Sequence, residues 1–308
     1  MSLNRRLISK GFNDLEKSTR FLDSSELDGV DQQRLFAGFA YAADPDLALV
    51  SLVRLLERHP QMAELVNAGE DESEALFRLL GSSEALAEFL LRRPEHLDVL
   101  SSKVSAEPGA VPAEKLRASL LKSVGADPGA EQPLAALTGK EAYNLLRSTY
   151  RRHLAELAIR DLGAASPVDY MPSVGRELAD LAAAAVEAGL AVSRAELAAR
   201  FDPEEIAAVR LAVIGMGKCG ARELNYISDV DVVYVIEADG MDEAHASTIG
   251  TALATGMSRA VFSAGPEPGL WEVDANLRPE GKEGRLVRTL ESHLTYYKRW
   301  AQSWEFQA

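Results

Sequence analysis

LAVIGMGKCGARELNYISDVDVVYV, residues Leu211 to Val235, places a glycine turn between two apolar strands and opens the second strand with two aspartates. Successive strand side chains point to opposite faces. The i, i+2 spacing of Asp229 and Asp231 therefore sends both carboxylates to one side, with their Cα atoms roughly 7 Å apart. Aspartate is depleted in strands. Two of them on one face of a VVYVI run need a cation between them and point to a hard-metal site on a sheet.

Downstream, Ile249, Leu253, Met257 and Val261 recur every four residues between Asp242 and Phe262, the apolar stripe of a helix. A loop, SAGPEPG, then leads to WEVDANL, whose strict alternation predicts a third strand. Trp271, Val273, Ala275 and Leu277 would share one face, and Glu272, Asp274 and Asn276 the other. Asp274 is the third candidate carboxylate, while Glu272 reads as facing solvent. After RPEGKEG a last helix is expected from about Leu290 to Ala308, with Trp300 and Trp304 as its core pair. Its abrupt WEFQA ending is expected of a domain that continues beyond Ala308.

Upstream, Asp202 and Pro203 read as the N-cap and first turn of a helix over PEEIAAVR. Before about Phe201 the texture changes to helical periodicity in segments such as LALVSLVRLLERHP, SEALAEFLLRRPEHLDVL and YNLLRSTYRRHLAELAIRDL. These are rich in Ala, Leu, Glu and Arg, all good helix formers. Ser82 or Ser83 is a candidate cap, and Pro60 and Pro94 stand where helices should stop. Loops are expected over Ser105–Lys115 and Gly125–Pro133. The fold class is thus α+β and mostly helical, with a helical domain over residues 1–200 and a core with a small mixed β-sheet over 201–308.

The chain has 308 residues, 47% of them hydrophobic, and a formal net charge of -14. That is enough apolar content for real cores, and the wrong charge for gripping a nucleic-acid backbone. Cys219 is the single cysteine, so no disulfide framework exists and a reducing, cytoplasmic setting is expected. Cys219 itself reads as a small buried hydrophobe. His59, His96, His153, His245 and His293 have no metal-ligand spacing, which disfavours zinc. His153 reads as a helix-surface residue. No signal-peptide pattern follows Arg5 and Arg6, and no apolar run is long enough to span a membrane.

Gly215, Gly217 and Gly220 also spell G-x-G-x-x-G after a strand, with Glu237 near the place of a ribose-binding acid. A dinucleotide site would need a crossover helix of a dozen residues or more. Only ARELNYIS separates Gly220 from Asp229, and that reading leaves three aspartates without a role. A two-metal phosphoryl or nucleotidyl transfer site fits better. Carboxylates from neighbouring strands can hold two divalent cations, Mg²⁺ being favoured by all-oxygen ligation. The glycines let backbone N–H groups approach phosphate oxygens.

GMGKCGARELNYISDVDVVYV resembles the GMGKxGxxELNxxSDxDxxxx signature of bifunctional glutamine synthetase adenylyltransferase/adenylyl-removing enzymes, members of the polymerase β-like nucleotidyltransferase superfamily. VDANLRPEGKEGRLVRTLESHLTYYKRWAQSWEFQA is similar to that family's VDxRLRPxGxxGxLVxSxxxxxxYYxxxAxxWExQA segment. The likeness runs almost unbroken from Leu211 to Ala308. Upstream, LFRLLGSSEALAEFLLRRPEHLDVL and LRSTYRRHLAELAIRDL resemble the family's helical lead-in.

The resemblance implies two catalytic halves. One attaches AMP to a tyrosine of glutamine synthetase, and the other removes it by phosphorolysis, releasing ADP. A lead-in that starts near Met1, and ELN where the attaching half more often has ELG, point to the amino-terminal, adenylyl-removing half. The resemblance implies Asp229 and Asp231 as the metal pair for two Mg²⁺ and Asp274 as third carboxylate. Gly215, Gly217 and Ser228 would shape the nucleotide-phosphate site, with Lys218 and Arg278 as phosphate contacts. ATP or ADP, phosphate, glutamine synthetase and a PII signalling protein are the implied partners, in the regulation of nitrogen metabolism. ATP-dependent attachment of AMP, and a non-catalytic regulatory or docking role, are the alternatives. Cys219 departs from the family's usual leucine, and Asn276 from a common arginine that would add a cationic contact.

Overall fold

The computed structural model describes residues 2–68, 70–100 and 110–306. Two compact units divide the chain. Residues 1–109 and 151–171 form one, and residues 110–150 and 172–308 the other. Packing and composition therefore divide the chain differently, because composition changes near Phe201.

The first unit begins with α1 (Leu3–Ser9), α2 (Leu15–Leu22), α3 (Gln32–Gly38), α4 (Pro45–Arg58), α5 (Ala63–Ala68), α6 (Glu70–Leu80) and α7 (Glu84–Arg92). Four of these starts are set by side chains that accept the orphan N–H groups of a first turn. Asp14, Asp31 and Asp44 do this for α2, α3 and α4, and Ser83, of the two candidate serines, does it for α7. α4 and α7 stop at Arg58 and Arg92, just before Pro60 and Pro94. Phe12, Phe39 and Phe77 meet edge to face in the core, which also takes in Ala155, Ala158 and Ile159. His153 is partly buried and pairs with Glu156, Nδ1 to Oε2 at 3.1 Å, rather than standing free on a helix surface.

The second unit contains α8 (Ala113–Ser123) and parts of two long helices, α9 (Gly139–Leu162) and α10 (Pro167–Leu197). The unit boundary falls after Tyr150 within α9 and at Pro172 within α10. Of the loop expected over Ser105–Lys115, residues 105–109 lie outside the described residues, and Ala113–Lys115 already belong to α8. Then come α11 (Pro203–Ala208), β1 (Val209–Gly215), α12 (Gly217–Gly220), β2 (Val230–Ala238), α13 (Glu243–Val261), β3 (Val273–Asp274), β4 (Val287–Thr289) and α14 (Leu290–Arg299).

β2 is the centre of a small mixed sheet. β1 runs antiparallel along it from Val209↔Ala238 to Gly215↔Val232. β3 and β4 pair with it in parallel, at Val230–Asp231 and Tyr234–Ile236. One sheet face is covered by α13, whose stripe of Ile249, Leu253, Met257 and Val261 is fully buried. Tyr234 of β2 points the same way and lies 3.3 Å from the Ser258 hydroxyl. Among the described residues no helix is long and apolar enough to cross a membrane.

Three expectations need correction. The third strand is two residues long, not seven, because the Asp274 carboxylate captures the Asn276 N–H at 2.7 Å and turns the chain out of the ladder. β4 was not foreseen. The last helix ends at Arg299, where Glu305 takes the Gln302 N–H and the Tyr296 hydroxyl, and a short 3₁₀ turn over Ser303–Phe306 follows. Trp300 is 68% exposed and is no core residue. The side chain of Trp304, with Gln307 and Ala308, lies outside the described residues.

The start of α13 depends on Asp242, which accepts the N–H groups of Ala244 and His245 at 3.1 and 3.2 Å. Asp242→Ala is expected to cost about 1 kcal/mol and to lower the thermal midpoint by about 2–4 °C. Asp242→Asn, which keeps an accepting oxygen, should recover most of it.

Candidate active site

Gly215 ends β1, and the Met216 N–H donates to the Asp231 carbonyl at 2.8 Å, tying the glycine turn to the strand that bears the aspartates. The turn excludes a side chain at one place and strains one at another. A Cβ on Gly220 would come within 2.4 Å of the Gly215 carbonyl oxygen. At Gly217, φ is +50° and a Cβ would lie 3.0 Å from Asp231 Oδ2. The turn backbone therefore lies against the carboxylate.

Between α12 and β2, Asn225 organises the loop. Its Oδ1 accepts the Ile227 N–H at 3.2 Å and the Ser228 hydroxyl at 2.6 Å. Asp229 is exposed just ahead of β2, and Asp231 is the second residue of that strand. On the far edge, Asp231 and Asp274 are direct partners in the parallel ladder, so both carboxylates leave the same face. Asp229, Asp231 and Asp274 each place one carboxylate oxygen within 4.8 Å of the others.

Crowding like charges has an electrostatic signature. Burial first, then the charges of Asp229 and Asp274, push the Asp231 carboxyl above its ordinary range, while Lys218 pulls it back. Oxygens this close suit a small hard cation, whose octahedral ligands at 2.0–2.1 Å lie about 3–4 Å apart, or a pair of cations bridged by the same carboxylates. The donor set is all oxygen, as Mg²⁺ requires.

The other expected site residues divide. Gly215, Gly217 and Lys218 belong to the turn that touches Asp231, and Lys218 is exposed. Ser228 precedes Asp229, with its hydroxyl on Asn225. Arg278 directs its guanidinium at its own turn, donating to the carbonyls of Gly284, Ala275 and Lys282 at 3.1, 2.7 and 2.9 Å. It clamps the RPEGKEG loop. Glu272 is exposed, as expected. Cys219 is half-buried, and burial followed by the charges of Asp231 and Asp180 pushes its thiol up, away from nucleophilic character.

Asn225 entered the sequence reading only as the last residue of ELN, not as the organiser of this loop, although an Asn shortly before Ser-Asp is a readable turn signal. Nor was Ile214, which shares the Asp231 face of the sheet and is 44% exposed there.

A profile of the glutamate-ammonia ligase adenylyltransferase family matches residues 73–308. The chain belongs to this family. A bifunctional glutamine synthetase adenylyltransferase/adenylyl-removing enzyme of Leifsonia xyli subsp. xyli is 46% identical over 289 residues, covering 92% of this chain and 28% of the relative. The enzyme of the same name from Streptomyces coelicolor is 42% identical, covering 98% of this chain and 29% of its own length. That of Nocardia farcinica is 44% identical, covering 91% and 27%. The chain thus spans somewhat over a quarter of the length of these relatives.

A carboxyl whose folded pKa is raised holds its proton longer folded than unfolded, so its contribution to stability declines as pH rises through the carboxylate range. Asp231→Asn is therefore expected to raise the thermal midpoint at pH 7 in chelator by about 1–3 °C, with the gain shrinking towards pH 4. The variant should also lose any stabilisation by Mg²⁺. Gly217→Ala, strained at positive φ and pressing on Asp231, is expected to lower the midpoint and to weaken Mg²⁺ binding together.

Proposed function

We propose that this chain carries the nucleotidyl-transfer site that removes AMP from adenylylated glutamine synthetase by phosphorolysis. The observation that carries the reading is the meeting of Asp229, Asp231 and Asp274 within 4.8 Å behind a glycine turn. The relatives' name supplies the macromolecular substrate, and the ELN form of the signature favours removal over attachment. Asp229, Asp231 and Asp274 would hold two Mg²⁺ ions, whose chemistry is to neutralise charge on the phosphoryl oxygens.

The chain's own residues then bind and orient. Gly215 and Gly217 let backbone N–H groups approach the phosphates, Lys218 adds a mobile cation, and Asn225 and Ser228 shape the loop ahead of Asp229. Arg278 acts through the loop it clamps. An oxygen of inorganic phosphate attacks the phosphorus of tyrosyl-AMP in line. The new P–O bond makes ADP, the bond to the tyrosine oxygen breaks, and that oxygen takes a proton. No protein nucleophile is needed.

The same carboxylates would serve ATP-dependent attachment, the second activity in the relatives' name, because an in-line transfer is symmetric about the phosphorus. A PII signalling protein as regulator and a cytoplasmic setting complete the proposal.

The test incubates the chain with adenylylated glutamine synthetase, phosphate and Mg²⁺, beside an ATP-dependent attachment assay. ADP release is expected, lost by about a thousandfold in Asp229→Asn and Asp231→Asn. AMP attachment without ADP release would reverse the assigned direction. A rate unaffected by both substitutions would refute the site, and binding of glutamine synthetase without either reaction would favour a docking role.

A further inference from the structure

Asp274 is delivered by a strand of two residues. Two ladder positions are too few to set a register alone, and a slip of one residue would turn the carboxylate to the other face of the sheet. The segment between α13 and β3, residues 262–272, must therefore be held from outside the ladder. One face of α9 holds it.

Asn144, Arg147 and Tyr150 follow at three-residue spacing and so lie along one face of the helix. Arg147 is fully buried. Its Nε donates to the Ala260 carbonyl at 2.9 Å, and its Nη2 to the Arg259 carbonyl at 3.1 Å and the Ser263 hydroxyl at 2.8 Å. Its Nη1 donates to the carbonyls of Ser263 and Glu267 at 2.8 and 3.0 Å. The guanidinium thus closes the carboxyl end of α13, where the helix dipole favours a cation, and gathers the chain leaving it. Asn144 Oδ1 accepts the Glu267 N–H at 3.1 Å. The Tyr150 hydroxyl accepts the Trp271 indole N–H at 3.0 Å, three residues before Asp274.

We propose that Asn144, Arg147 and Tyr150 are positioning residues for the carboxylate site. They fix the path from α13 to β3 so that Asp274 registers beside Asp231. The geometry stands on its own, and only its consequence for cations rests on the function proposed above. These residues hold the third carboxylate as outer-shell partners hold a ligand, through the backbone rather than by direct contact.

A buried arginine at a helix end also stabilises the fold, so the test needs a readout that stability alone does not move. Mn²⁺ affinity by calorimetry and amide exchange at Val230, whose N–H donates to the Glu272 carbonyl at 3.0 Å, provide two. In the 308-residue chain, the Asn144→Ala/Tyr150→Phe double variant is expected to bind Mn²⁺ about tenfold more weakly and to exchange faster at Val230. Arg147→Lys should show both effects, and its folding is not required for the test. Ile249→Val, a core change in α13 that also lowers the thermal midpoint, should show neither. Wild-type affinity and Val230 protection in the double variant, or equal losses in Ile249→Val, would overturn the proposal. If the unaltered chain binds no Mn²⁺, the cation-site reading fails, and Val230 exchange alone decides the positioning claim.

Discussion

Asp231 and Asp274 stand side by side across a two-residue parallel ladder, with Asp229 two residues before Asp231. Left to themselves, three carboxylates within 4.8 Å would separate. They are kept together by neutral interactions around them. The Val230 N–H bonds the Glu272 carbonyl, the Met216 N–H bonds the Asp231 carbonyl, and Asn276 fixes the Asp274 oxygen. Behind them, Val232, Tyr234 and Ile236 are buried on the face that α13 covers. Hydrophobic burial, at roughly 25 cal/mol per Å² of apolar surface, supplies the free energy that offsets the repulsion at the sheet's end.

Such an arrangement puts stability and function in opposition at one point. The Asp231 carboxyl is raised because the folded chain surrounds it with burial and like charge. A cation would relieve that penalty, and the folded state would then bind the cation in preference to the unfolded chain. The glycine turn suits the same end, since at Gly220 a side chain would collide with the other arm of the turn and at Gly217 one would be strained at positive φ and press on the Asp231 carboxylate. With a formal net charge of -14, the chain has no general attraction for phosphate, so in the proposed function the local dipoles and Lys218 would have to provide it.

Much of this was legible in residue order, and the parts that were not have identifiable causes. Period-two spacing placed Asp229 and Asp231 on one side and the alternation of WEVDANL added Asp274, while four-residue spacing gave the buried stripe of α13. The length of β3 was misread because alternation does not show that Asp274 will take the Asn276 N–H and end its own strand. β4 escaped because three residues with an arginine at their centre carry no periodic signal. Arg147 was invisible for a different reason. An arginine on a helix ordinarily reads as a solvent residue, and only the fold reveals five acceptors within its reach. Arg278 could be recognised as a cation near the site, but not as the clamp of its own loop. The direction of transfer is not written in the geometry at all, since attachment and removal would both be in-line displacements at the AMP phosphorus beside the same carboxylates.

Anomalous scattering from crystals of this chain grown with Mn²⁺ and a nucleoside diphosphate would test the carboxylate site most directly. Metal peaks within about 2.5 Å of oxygens from Asp229, Asp231 and Asp274 together are the expected result. Peaks elsewhere, or a metal held by Asp229 and Asp231 with Asp274 turned away, would contradict it.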